Sequence, residues 1–85
     1  MNYEVSVTRK ASKALARLPD TAYGRMKAAI DGLANDPRPS GCKKLGGRDG
    51  YRLRVGGYRA LYRVDDQERR VEVYRVALRE DAYRS

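Results

Sequence analysis

The stretch Tyr51-Arg52-Leu53-Arg54-Val55-Gly56-Gly57-Tyr58-Arg59-Ala60-Leu61-Tyr62 limits the possible folds more than any other part of the chain. On both sides of the Gly-Gly pair, apolar or aromatic residues alternate with arginine or other residues. A period of two marks strands that bury one face. A two-residue Gly-Gly loop favours a hairpin, because its tight turn needs positive φ. With the turn at Gly56 and Gly57, Val55 faces Tyr58, Leu53 faces Ala60 and Tyr51 faces Tyr62. The opposite face then carries Arg52 and Arg54, with Arg59 directly across from Arg54 and Arg63 farther along.

The remaining segments supply what this hairpin packs against. Tyr3, Val5 and Val7 alternate and predict a short strand. Thr8 is a suitable N-cap, and Ala11, Ala14, Leu15 and Leu18 then recur at helical spacing, with Arg9, Lys10, Lys13 and Arg17 on the outer side. Pro19 ends this helix. Asp20 is expected to cap a second one, whose apolar stripe is Ala22, Met26, Ala29, Ile30 and Leu33. Asn35 and Asp36 before Pro37 stop it. So short a join predicts an antiparallel helix hairpin.

Residues 36–50 are rich in Pro, Gly and Lys and read as a loop. The Gly46-Gly47 pair has neither the spacing nor the following helix of a phosphate-binding loop. A polar loop over 65–70 leads to a strand Val71–Ala77, and the tail from Leu78 to Ser85 is polar, with room for one helical turn. In the expected register Arg75 joins the arginine face, while Tyr74 and Val76 enter the core. The predicted fold is α+β, in one domain over 1–85. An N-terminal strand is followed by an antiparallel helix hairpin, packed on one face of a mainly antiparallel sheet in the order β-α-α-β-β-β.

Charge decides what such a domain can bind. Lys and Arg total 19 against 11 Asp and Glu, a formal charge of +8 in 85 residues. A surface this positive favours polyanions: nucleic acid, an anionic membrane face or an acidic protein. The chain has no histidine and one cysteine, Cys42. That excludes a zinc site built from His and Cys within one chain, an internal disulfide and a histidine-based triad. No segment reaches the roughly 20 apolar residues of a membrane span, no secretory pattern is present, and the expected compartment is the cytoplasm. Like charges facing each other across a sheet destabilise it, so folding alone gives no reason to gather Arg52, Arg54 and Arg59. A bound polyanion does, since guanidinium groups hold phosphate through paired hydrogen bonds at any working pH.

Several of these segments together resemble the RelE/ParE toxins. Lys44-Leu45-Gly46-Gly47 is similar to the family's Lys-Leu-x-Gly loop. The 51–62 segment resembles its basic strand, tight turn and Tyr-Arg-x-x-Tyr strand. Val76-Ala77-Leu78-Arg79 with Tyr83-Arg84 resembles its closing segment. The resemblance implies the toxin of a type II toxin–antitoxin system. For RelE-like members it implies a ribosome-dependent endoribonuclease that cleaves mRNA in the ribosomal A site, working without metal or other cofactor. The implied catalytic set is Arg52, Arg54, Arg59, Arg79 and Tyr83. Lys43, Lys44, Arg63 and Arg75 are expected to bind RNA phosphates. The implied partners are mRNA, the ribosome and an acidic, partly disordered antitoxin that forms a hetero-oligomer with the toxin; no membrane is involved. Two positions depart from the best-known members. Arginine replaces the lysine common at 52 and 54, and Leu78 stands where histidine or lysine is common. The alternative is a ParE-like inhibitor of DNA gyrase, which shares the framework and cleaves nothing.

Overall fold

A computed structural model describes residues 2–46 and 50–78. Seven elements follow in order: β1 (Glu4–Val7), α1 (Arg9–Ala16), α2 (Asp20–Gly32), β2 (Lys43–Lys44), β3 (Tyr51–Val55), β4 (Tyr58–Asp65) and β5 (Arg70–Leu78). The strands form one sheet in the order β1-β5-β4-β3-β2. Only the β1–β5 pair is parallel. Both helices contribute to the core on one face of the sheet, and no described helix lies on the other.

The helix hairpin starts as the sequence predicts. The Thr8 side chain accepts a hydrogen bond from the Ala11 amide, and the Thr8 amide donates to the Val73 carbonyl at 2.9 Å. One residue thereby caps α1 and ties it to β5. Asp20 behaves differently from the expectation. Pro19 occupies the N-cap position without a side-chain bond, and Asp20 is the first helical residue. Its carboxylate there complements the helix dipole. Ala11 and Leu15 of α1, with Met26 and Ile30 of α2 and the following Leu33, meet Leu53, Ala60, Tyr62, Val71, Val73 and Val76 of the sheet in the core.

Two further features differ from the sequence reading. Lys43 and Lys44, read as loop, form the short edge strand β2 paired to Arg52 and Tyr51. Two lysines carry no periodicity; the β3 edge supplies the order. The tail beyond Leu78 lies outside the described residues. The second difference is a β-bulge. Leu61 pairs with Arg75 but Tyr62 pairs with Val73, so Tyr74 is the extra residue. Tyr74 therefore leaves the core, where it was expected, and its ring lies under the Arg63 guanidinium on the open face, 4.1 Å away. The bulge keeps Val73 and Val76 both buried.

Candidate nucleic-acid interface

The hairpin register is the one that the Gly-Gly turn predicts: Val55↔Tyr58, Arg54↔Arg59, Leu53↔Ala60 and Tyr51↔Tyr62. Gly56 takes φ +59, as the turn requires. Alternation then carries every second side chain of β3 and β4 to the open face, and the neighbouring strands extend the rows. One row reads Arg54–Arg59–Ala77. The next reads Lys43–Arg52–Leu61–Arg75 across all four strands. The third holds Arg63 opposite Glu72.

The first two rows therefore bring together Lys43, Arg52, Arg54, Arg59 and Arg75 with no carboxylate in register. Among the described residues no ion pair reaches Lys43, Arg52, Arg54 or Arg75. Arg54 and Lys43 are exposed, and Arg52 and Arg75 are half-buried. Arg59 is different: it is 2 % exposed. Its burial could not be read from alternation, which places Arg54 and Arg59 alike. A buried guanidinium is costly to hold, so its position is set by the surrounding fold.

The third row is neutralised. Arg63 donates to the Glu72 carboxylate at 3.1 Å and covers the Tyr74 ring. A similar pair joins Arg70 to Glu4 at 3.6 Å. Lys44 is exposed and points from the edge strand beside an open 520 Å³ depression that Arg63, Tyr51 and Gly50 also line. Arg79 and Tyr83 lie outside the described residues.

Sequence reasoning missed the device that holds this edge of the sheet. Arg38 grips the Asp66 carboxylate with both terminal nitrogens, at 3.2 and 2.7 Å, and its Nε donates to the Tyr51 hydroxyl. Tyr3 donates to Asp66 at 2.7 Å. The Arg38 pair first, then Tyr3, lowers the Asp66 pKa below its ordinary 3.8. Below this, the buried Tyr62 hydroxyl donates to the Pro37 carbonyl at 2.8 Å, and burial above all raises its pKa. Tyr62 thus stays neutral and pins the 36–40 loop. The signal in the sequence was only a run of turn residues around Arg38, which does not reveal its distant partners.

Among the described residues, no group of three His, Cys, Asp or Glu side chains is placed to hold a metal ion. No described helix is long and apolar enough to cross a membrane.

The structure is a two-layer α+β domain with guanidinium groups gathered on one sheet face. Comparison with known proteins makes this specific. Residues 5–83 match the family model described as the ParE toxin of type II toxin–antitoxin systems. The chain is 33 % identical over 84 residues to Toxin RelE of Mycobacterium tuberculosis, covering 96 % of this chain and 87 % of that one. It is 30 % identical to the putative toxin RelE1 of Methanocaldococcus jannaschii, covering 100 % and 99 %. The crystal structure of the archaeal RelE–RelB complex from Pyrococcus horikoshii superposes with a TM-score of 0.83 at 32 % identity, covering 93 % of this chain and 97 % of that chain. This chain belongs to the RelE/ParE family of toxins of type II toxin–antitoxin systems.

Proposed function

We propose that the chain is a ribosome-dependent endoribonuclease that cleaves mRNA in the ribosomal A site and stops translation. The observation that carries this reading is the set of cations Lys43, Arg52, Arg54 and Arg75, which form no ion pair among the described residues, gathered around the buried Arg59 on the sheet face away from the helices. The similarity to proteins named RelE supports it.

The reaction needs little beyond positioning and charge. The ribose 2′-oxygen, losing its proton, attacks the adjacent phosphorus. The bond from phosphorus to the 5′-oxygen breaks, leaving a 2′,3′-cyclic phosphate, and the leaving oxygen takes up a proton. Arg59 and Arg79 stabilise the charge that builds on the phosphoryl oxygens, the effect that contributes most in such sites. Arg52 and Arg54 hold the strand, with Lys43, Lys44 and Arg75 on neighbouring phosphates. Arg63, engaged by Glu72, contributes less. Tyr83 orients the ribose or assists proton transfer. Arginine keeps its proton at pH 7, so proton removal is the slow task and the ribosome's alignment of mRNA carries much of the rate. No metal takes part. An acidic antitoxin neutralises the basic surface; the similar RelE of Pyrococcus horikoshii forms a RelE–RelB complex.

The test is primer extension on mRNA in a translation extract, comparing the wild type with Arg54→Ala and Arg59→Ala. Cuts within codons that require translation, persist in EDTA-treated toxin and vanish in both variants support the reading. Intact mRNA with the wild type sinks it. The match to the ParE model favours a second reading, inhibition of DNA gyrase; loss of plasmid supercoiling by gyrase with mRNA left intact would establish that one.

A further inference from the structure

The neutralised end of the sheet carries a different kind of surface from the arginine rows. Arg63 donates to Glu72 at 3.1 Å, and its guanidinium sits over the Tyr74 ring, 4.1 Å from the ring centre. The ring covers one side of the guanidinium. The Arg63 side chain is nevertheless 55 % exposed, so its other side meets solvent. The bulge supplies this arrangement. It puts the consecutive residues Tyr74 and Arg75 on one face, so that β5 offers a ring beside a cation. The Tyr74 hydroxyl reaches toward Gly50, where an added Cβ would lie 3.6 Å from it.

Beside the platform the sheet steps down. β3 begins at Tyr51, opposite Tyr62, while β4 runs on to Asp65. At this step Arg63 lines the 520 Å³ depression with Lys44, Gly50, Asp65 and Asp66. That volume lies within the roughly 300–1,000 Å³ of small-ligand sites. A phosphate would be poorly placed here. Glu72 already matches Arg63, and two carboxylates stand nearby. Those carboxylates serve the fold: Asp66 is held by Arg38 and Tyr3, and Asp65 accepts from the Gln67 and Glu68 amides. Charge is matched locally, which suits a neutral planar group. Nucleobases are such groups, and they stack on aromatic rings and on guanidinium planes alike. Lys44 is exposed at the rim and forms no ion pair among the described residues, so it can hold the phosphate beside that base. Arg63 stands one same-face step, about 7 Å, along β4 from Leu61 in the Lys43–Arg52 row. A strand held by that row passes the platform next.

We propose that the Arg63 guanidinium, carried on Tyr74 and anchored by Glu72, is a stacking platform for one nucleobase of the RNA strand that the arginine rows hold. This rests on the reading of the sheet face as the mRNA-binding surface. The rows take phosphates and the matched end takes a ring, so the strand is fixed by two kinds of contact. Arg63 is a positioning residue in this arrangement: it touches a base and takes no part in the chemistry at phosphorus.

Arg63→Lys separates the plane from the charge. Lysine keeps the cation opposite Glu72 but has no plane to stack on. The probes are a fluorescently labelled oligoadenosine and an abasic oligomer of the same length. Both are 2′-O-methylated, so that no 2′-hydroxyl can attack. Binding is read by anisotropy across a salt series. The wild type should bind the oligoadenosine roughly ten-fold or more tighter than the abasic oligomer. Arg63→Lys should lose most of that preference by weakening on the oligoadenosine alone, with the slope of log affinity against log salt unchanged. Its melting temperature should stay near that of the wild type, since an exposed pair contributes little. If Arg63→Lys keeps the full preference, the base stacks elsewhere and the proposal is wrong. If it weakens on both oligomers alike, Arg63 contacts the backbone and the proposal is equally overturned. A wild type that binds both oligomers equally well refutes the platform and leaves the functional reading standing. A wild type that binds neither removes the functional reading, and this inference with it.

Discussion

At one end of the open sheet face, Arg63 meets Glu72 across the strand pair and Arg70 lies beside Glu4. Farther across the same sheet, on β4, β3 and β2, Arg54 meets Arg59 and Arg52 meets Lys43. Both sets of positions are selected by the same alternation, so the difference does not come from strand periodicity. Cross-strand opposite charges contribute a few tenths of a kcal/mol to about 1 kcal/mol, and like charges cost a similar amount. One end is matched as folding prefers; at the other, Lys43, Arg52 and Arg54 form no ion pair among the described residues. The mismatch marks where a ligand's charge is expected.

Variants can break or sharpen this contrast. The largest effect is expected at the mismatched end. Arg54→Ala should lower cleavage about 100-fold or more while the melting temperature holds or rises, because a like-charge pair is relieved. A parallel loss of stability and activity would show that Arg54 serves the fold instead. Next comes Gly50→Ala, in the frame beneath the rows. Gly50 takes φ +125, and an added Cβ would lie 2.8 Å from the Tyr62 carbonyl oxygen. Thermal unfolding should show a loss of more than about 1 kcal/mol, and an unchanged melting temperature would refute that strain. Tyr62→Phe should cost about 1–3 kcal/mol by leaving the Pro37 carbonyl unsatisfied, measured by urea unfolding. At the matched end, Arg63→Ala should cost at most about 1 kcal/mol of stability and reduce cleavage far less than Arg54→Ala; an equal reduction would erase the distinction between the ends.

The smallest effect concerns pH. Arg38 and Tyr3 hold the Asp66 carboxyl below 3.8 in the fold. Such a group stabilises the protein above its unfolded pKa, and that contribution is lost as pH falls through the lower, folded value. Melting temperature measured from pH 5 down to pH 2.5 should therefore drop less steeply in Asp66→Asn than in the wild type. Parallel curves would mean that the Arg38 pair is too solvent-screened to register.

The hairpin and its two faces were legible because a Gly-Gly turn fixes register, and register fixes facing for every residue from Tyr51 to Tyr62. The helix stripes were legible for the same kind of reason, a clear period. What escaped lacked a period. Lys43 and Lys44 become a strand only because β3 offers an edge. Arg38 finds Asp66 and Tyr51 through contacts distant in sequence. Arg59 and Arg54 obey the same alternation yet differ in burial, which depends on what covers each. Tyr74 was misplaced because one extra residue changes facing without leaving a mark in composition.

That extra residue also bears on how this domain can vary. Val71 and Val73 face the core before Tyr74, and Val76 faces it after. Were Tyr74 drawn into plain alternation instead of bulging, everything beyond it would reverse its facing, turning Arg75 inward and Val76 outward. Packing and recognition on β5 therefore share a single reading frame. Substitutions can tune either face alone, but a one-residue insertion or deletion in this strand away from the bulge alters both together, so lineages of this domain should change length in the 65–70 loop or at Tyr74 itself.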